Sequence, residues 1–169
     1  MFSKKVQAAL LKQIEIEGYS SQVYLSMASW AETKGMNGMA KFLYGHADEE
    51  REHMLKLIKF VNERGGHAIV PLLEAPPKTF KSIKNVFEQV LEHEIFVTQE
   101  INKVVDVTLK EKDYTTHNFM QWYVSEQIEE EALARSIIDK LNLIGGDKSS
   151  LYLFDRDLES MKLEGPDSE

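Results

Sequence analysis

The chain contains no cysteine. That excludes disulfides, thiolate nucleophiles and sulfur-held zinc or iron, and it suits a reducing compartment. Proline occurs only four times and glycine nine times in 169 residues. Both gather at a few points, which leaves long stretches free of helix breakers. No apolar run approaches the roughly 20 residues that cross a bilayer. Met1-Phe2-Ser3-Lys4-Lys5 lacks the apolar region of a signal peptide. The expectation is a cytoplasmic protein with no membrane partner. Basic residues are outnumbered, 20 Lys and Arg against 28 Asp and Glu. A formal charge of −8 argues against nucleic acid as the main partner, because phosphate binding needs a basic patch.

What remains is 43% hydrophobic and 28% charged, a globular composition of a length that suits one domain over residues 1–169. The apolar residues recur in alternating steps of three and four, the signature of amphipathic helices. The first helix is expected over residues 3–34, stopped by Gly35, and the second from Asn37, as its cap, to residue 64, before Gly65-Gly66. The third is expected over residues 82–110. Asp113 caps the fourth, which Gly145-Gly146 ends. A short fifth helix is expected over residues 149–162, with Leu151, Phe154, Leu158 and Met161 on one side, then a mobile tail over 164–169.

Four helices of this size are each about 40–45 Å long. The first and third connections are short and make antiparallel hairpins. The second is long. About fifteen extended residues span roughly 50 Å, enough to travel the bundle and start the third helix parallel to the second. The apolar Ile69, Val70, Leu72 and Leu73 in it suggest a packing partner, such as another subunit. The predicted fold is all-α: a four-helix bundle over residues 3–145 with one long crossover, plus the fifth helix, which is expected to pack between subunits.

Each long helix carries an acid in the middle of its apolar stripe. Glu17 follows Leu10 and Ile14. Glu50 and His53 lie between Leu43 and Leu57. Glu94 lies between Val90 and Val97, and Glu130 follows Tyr123 and Gln127. No Lys or Arg sits on these stripes. A buried unpaired charge costs several kcal/mol, against a net domain stability of about 5–15 kcal/mol. Four such carboxylates must be protonated, hydrated or bound to cations, and a metal is the economical choice. Glu50 and His53, three apart, project from one spot on a helix, and both are ligands for first-row divalent metals. An oxygen-rich set with one histidine suits iron or manganese more than structural zinc. Tyr24, seven residues after Glu17, places a phenol near the same level. His46, His93 and His117 read as satisfied or surface histidines. From the residues alone, a redox-active metal centre and a packing module with protonated acids both stand.

With these residues in view, the chain resembles the non-haem bacterial ferritins over all but its tail. Ferritin-like di-iron bundles carry a Glu from each of two helices and Glu-x-x-His from the other two. Glu17, Glu94 and Glu50-x-x-His53 match that pattern, while the fourth helix departs from it with Gln127-x-x-Glu130. Arg51 stands where haem-containing relatives commonly have a methionine, so no haem is expected. The resemblance implies one iron on Glu17, Glu50 and His53. It implies a second on Glu50, Glu94 and Glu130, with Gln127 hydrogen-bonded there and Tyr24 as the nearby phenol. Glu49, Glu126 and Glu129, with Glu130, look like a third iron position. The resemblance further implies ferroxidase activity with dioxygen or peroxide, ferric mineral storage and a shell of twenty-four subunits whose four-fold axes the fifth helix lines. His117 and Met120 stand where animal ferritins have channel carboxylates, so the iron entry route is not inherited from them.

Overall fold

A computed structural model describes residues 2–161. The expected mobile tail, 164–169, and the last residue of the expected fifth helix lie outside them. The described residues form five helices and no strand: α1 (Lys4–Thr33), α2 (Asn37–Glu63), α3 (Ile83–Lys110), α4 (Tyr114–Ile144) and α5 (Lys148–Ser160). None of these helices is long and apolar enough to cross a membrane.

Local chemistry sets most of the boundaries. Ser3 accepts from the Val6 N–H, Ser82 from Asn85, Asp113 from Thr116 and Asp147 from Ser150. Each side chain thereby satisfies an N–H that the first helical turn cannot. At the other ends, Gly35 and Gly65 turn the chain at φ of 74° and 78°, which a residue with a Cβ rarely adopts.

α2 is the exception. Asn37 is its first residue and does not cap it; the cap position is Met36, whose side chain accepts no hydrogen bond. The cap comes from α5. Asp155 accepts from the Gly38 N–H through Oδ2 at 3.1 Å and from the Met39 N–H through Oδ1 at 2.8 Å. A carboxylate at a helix N-terminus also meets the positive end of the helix dipole. Gly38 makes the approach possible: a Cβ there would lie 1.8 Å from the Asp155 carbonyl oxygen.

Ion pairs and rings fix the helix directions. Lys5, at the start of α1, pairs with Glu111, just past the end of α3. Arg64, just past α2, pairs with Asp113, just before α4. α2 and α3 therefore finish at the same end of the bundle and run parallel. The crossover, residues 65–82, returns the chain to the other end, where Phe80 meets Trp30 edge-to-face at 5.6 Å. Ala68 and Phe80 anchor the crossover in the core, and Leu73 lies over Gly18. Ile69, Val70 and Leu72 stay exposed on the single chain, Leu72 at 94%.

Two apolar clusters fill the bundle, one towards each end. The first holds Met27, Leu43, Phe87 and Ile137, and the second holds Leu10, Leu57, Ile101 and Met120. The stripe acids lie between them. α5 covers the first cluster. Phe154 and Leu158 are buried and Phe154 meets Phe87 edge-to-face. Its apolar face packs against its own chain, while Tyr152 and Leu153 remain exposed.

Asp155→Ala removes the α2 cap and is expected to cost about 1 kcal/mol of stability. Gly38→Ala drives a methyl into the α5 backbone and is expected to cost more, with faster proteolytic cleavage around residues 145–147. Thermal melting followed by circular dichroism, with limited proteolysis, checks both. Parent behaviour in the two variants would show that this contact does not hold α5 in place.

Candidate metal centre

Between the two apolar clusters the bundle buries an acidic layer. Glu17, Glu50, Glu94, Glu126 and Glu130 are all buried, and Glu94 is fully so. The four-three stepping of each stripe places one acid per helix at this level. The layer divides into atoms that hydrogen bonds satisfy and atoms that they leave bare.

Glu94 is the best satisfied. Tyr24 on α1 donates its hydroxyl to Glu94 Oε1. Gln127 on α4 donates from Nε2 to Glu94 Oε2 at 3.0 Å. Both carboxylate oxygens thus have donors from neighbouring helices. Burial, then the Glu94 charge, pushes the Tyr24 phenol well above its ordinary range, so it stays a donor. Glu17 accepts from Gln13 Nε2 at 2.8 Å, one turn earlier on α1. Tyr123 on α4 donates to the His53 carbonyl at 2.8 Å and ties α4 to the middle of α2. The His53 ring also packs edge-on to Trp122, at 5.1 Å.

The bare atoms converge. Glu17, Glu50 and His53 each offer a ligand atom, all within 4.8 Å of one another. His53 Nδ1 is 3.5 Å from Glu50 Oε2, and that oxygen has no hydrogen-bond partner among the described residues. A second convergence joins His46, Glu49 and Glu130, again within 4.8 Å. His46 Nδ1 stands 3.4 Å from Glu49 Oε2 and 3.6 Å from Glu130 Oε2. His46 Nδ1, Glu49 Oε2 and Glu126 Oε2 are also buried without partners.

Electrostatics follow from burial. Desolvation raises Glu17, Glu50 and Glu130 well above the carboxylate range; the Glu50 charge adds to this at Glu17, and the Glu94 charge at Glu50 and Glu130. Glu126 is pushed up to about 7, chiefly by burial. His46 is lowered to about 4 by burial and then by His53, so its ring is neutral near pH 7 and can ligate a metal. Buried polar atoms without partners are rare in folded chains. Several at one level, all oxygen or imidazole nitrogen, form a donor set that fits divalent first-row cations.

The structure brings Glu17, Glu50 and His53 together as one group. Glu94, Gln127 and Tyr24 form a hydrogen-bonded unit beside it. Glu130 lies with Glu49, and the third member of that group is His46. Glu126 adds a bare oxygen nearby. Glu129 is exposed, although its charge still acts on Glu126 and Glu130. His46 reads as a satisfied or surface histidine in the sequence, whereas its Nδ1 is buried without a partner. The available signal was its place on the α2 stripe, one turn before Glu50.

Comparison with known proteins agrees with this geometry. Residues 7–144 match the family model described as a ferritin-like domain. A probable bacterial non-haem ferritin-like protein of Haemophilus influenzae is 47% identical over 161 residues, 95% of this chain and 98% of that protein. A bacterial non-haem ferritin of Campylobacter jejuni is 46% identical over 163 residues, 96% of this chain and 98% of its own length. Among solved structures, an engineered closed form of Archaeoglobus fulgidus ferritin superposes with a TM-score of 0.94 at 41% identity, covering 97% of this chain and 100% of that one. An open-pore ferritin of the same archaeon superposes with a TM-score of 0.93 at 43% identity, over 95% of this chain and 98% of its own. A bundle with this connectivity, this acidic layer and these relatives belongs to the ferritin family, alongside the bacterial non-haem ferritins.

Proposed function

We propose that this chain stores iron by oxidising Fe(II) at the acidic layer and passing Fe(III) to a mineral inside a shell of its own copies. The observation that carries this reading is the convergence of Glu17, Glu50 and His53, with Glu50 Oε2 bare and buried. Iron is the substrate. Glu17, Glu50 and His53 receive one Fe(II). Glu50 reaches across to a second, which Glu94 and Glu130 receive. Gln127 and Tyr24 hold the Glu94 carboxylate by its two oxygens.

The two ferrous ions give one electron each to dioxygen, which takes up two protons and leaves as hydrogen peroxide. With peroxide as oxidant, the same two electrons and two protons yield water. Hydrolysis of the ferric product to oxyhydroxide then releases more protons than the oxidation consumed. The chain orients the two ions and leaves coordination positions open for the oxidant. A third position forms from Glu49 and Glu130 with the neutral nitrogen of His46, and Glu126 contributes a bare oxygen. Fe(II) held there gives its electron to the peroxide, two such ions and two protons reducing one peroxide to two waters. Exposed Ile69, Val70 and Leu72 along the crossover suit burial against a second copy. Twenty-four copies form the closed shell, and the chain acts in the cytoplasm as a single domain.

Glu50→Ala and His53→Ala are each expected to abolish fast Fe(II) oxidation while leaving the helices formed. Rapid-mixing absorbance of the ferric product checks this, and parent rates in both would refute the site. Electron micrographs after aerobic Fe(II) addition should show hollow particles with dense cores.

The pH dependence has a definite sign. The folded chain holds protons on Glu17, Glu50, Glu126 and Glu130 that the unfolded chain releases near the ordinary value of 4.5. Metal-free stability is therefore expected to fall as pH rises from about 4.5 through 7 and beyond. Metal binding near pH 7 displaces these protons. Calorimetric Co(II) titration in two buffers of different ionisation enthalpy should show proton release, reduced in Glu50→Gln. No release in the parent protein would mean that the acids were already ionised.

Glu49→Ala combined with Glu126→Ala should leave two irons bound per subunit but change the iron oxidised per dioxygen consumed. An oxygen-electrode titration reads the ratio; the parent ratio would remove the third position from the mechanism.

A further inference from the structure

Gln127 has a choice that no carboxylate at the centre has. One end of its amide donates and the other accepts, and a half turn exchanges them at almost no steric cost. With NH2 towards Glu94 the amide supports that carboxylate. With the oxygen towards Glu94, two acceptors face each other and the carboxylate loses a donor. Nothing within the amide itself decides which end faces in.

The deciding groups lie behind it. Gln127 Nε2 is 3.0 Å from Glu94 Oε2, 3.2 Å from the Glu94 backbone carbonyl and 3.3 Å from Thr98 Oγ1. The carbonyl can only accept. The Thr98 hydroxyl can do either, but it owns a single hydrogen. That hydrogen has two other acceptors: Glu131 Oε1 at 2.7 Å and the Glu94 carbonyl at 3.0 Å. Glu131 is the nearer, and Arg135 pairs with its other oxygen one turn along α4. With its hydrogen drawn to Glu131, the hydroxyl turns a lone pair to Gln127. Three acceptors then surround Nε2, and the flipped amide would find none of its bonds.

We infer that Thr98, oriented by Glu131, is a positioning residue: as a third acceptor beside Glu94 Oε2 and the Glu94 carbonyl, it holds the NH2 end of Gln127 towards Glu94. The chain of bonds runs from the Arg135–Glu131 pair through Thr98 and Gln127 to Glu94. Neither Thr98 nor Glu131 lies on an apolar stripe, and neither belongs to the converging ligand groups. The inference rests on Glu94 acting as a metal ligand.

Thr98→Val is close to isosteric and removes a hydroxyl that competes with the helix backbone, so the fold is kept. The variants are loaded anaerobically with Co(II), and its visible absorption bands are followed during titration. The parent is expected to fill two positions per subunit. Thr98→Val is expected to weaken one of them by about tenfold, the usual size of an effect from residues that orient ligands, and to alter its bands, with an unchanged melting temperature. Thr98→Ser is expected to restore parent affinity and spectrum. Glu131→Ala should fall between Thr98→Ser and Thr98→Val, because the Glu94 carbonyl still takes the hydroxyl hydrogen. Parent affinity and spectrum in Thr98→Val, or failure of Thr98→Ser to restore them, would overturn the inference. Parent behaviour in Glu131→Ala would overturn Glu131's part in it. A parent that binds no Co(II) at the layer would instead overturn the proposed di-iron centre.

Discussion

Carboxylates taken out of water without a counter-ion are the constraint on which this structure depends. Five glutamates are buried at one level of the bundle; at Glu126 the Lys56 charge opposes the effect of burial, and burial outweighs it. In the folded metal-free chain, protons supply the compensation, which is why burial raises Glu17, Glu50 and Glu130 so far. A divalent cation supplies it better, because one ion neutralises two carboxylates and occupies their lone pairs at once. Storing part of the folding free energy as an unmet demand for cations is what makes an apolar bundle into a metal host.

The rest of the fold serves to keep that layer aligned. Four acids on four helices meet only if the helices keep their axial register. Hydrogen bonds that cross between helices at the layer hold it: Tyr24 to Glu94, Gln127 to Glu94, Tyr123 to the His53 carbonyl. Apolar clusters above and below exclude water from both sides. At the far ends, Lys5–Glu111 and Arg64–Asp113 tie helix ends together, and Asp155 ties α5 onto α2. Apolar packing alone leaves axial sliding cheap; these directional contacts oppose it.

Within the layer there is a division of labour between filled and empty valences. Glu94 has both oxygens committed to donors, so its direction is set before any metal arrives. Glu50, Glu49, Glu126 and His46 keep a bare atom each, and these atoms are where a cation gains most. Preorganised donors beside unsatisfied ones keep part of the geometry fixed and leave the rest open to a cation. A fully satisfied network would have no vacancy, and a fully bare one would have no fixed geometry.

Much of this was legible in the sequence by itself. Ser3, Ser82 and Asp113 marked helix starts, Gly35 and Gly65 marked ends, and the length of the crossover dictated a parallel α2 and α3. Glu17, Glu50, His53, Glu94 and Glu130 stood out because acids broke apolar stripes at matching depth. These features are local: a cap acts over three residues and a stripe repeats every three or four. What only the tertiary structure decided involved residues far apart in the chain. The cap of α2 is Asp155, more than a hundred residues after Gly38 and Met39, so Asn37 was the natural but wrong choice. His46 looks like any core histidine until Glu130 arrives from α4, while Glu129 turns outward. α5 has an apolar face whose partner no periodicity reveals. Thr98 gains its meaning only where Glu131 and Gln127 approach from α4. Helical periodicity fixes which face a residue takes, but the partner across that face is chosen by the packing of other helices, which no single stretch of sequence contains.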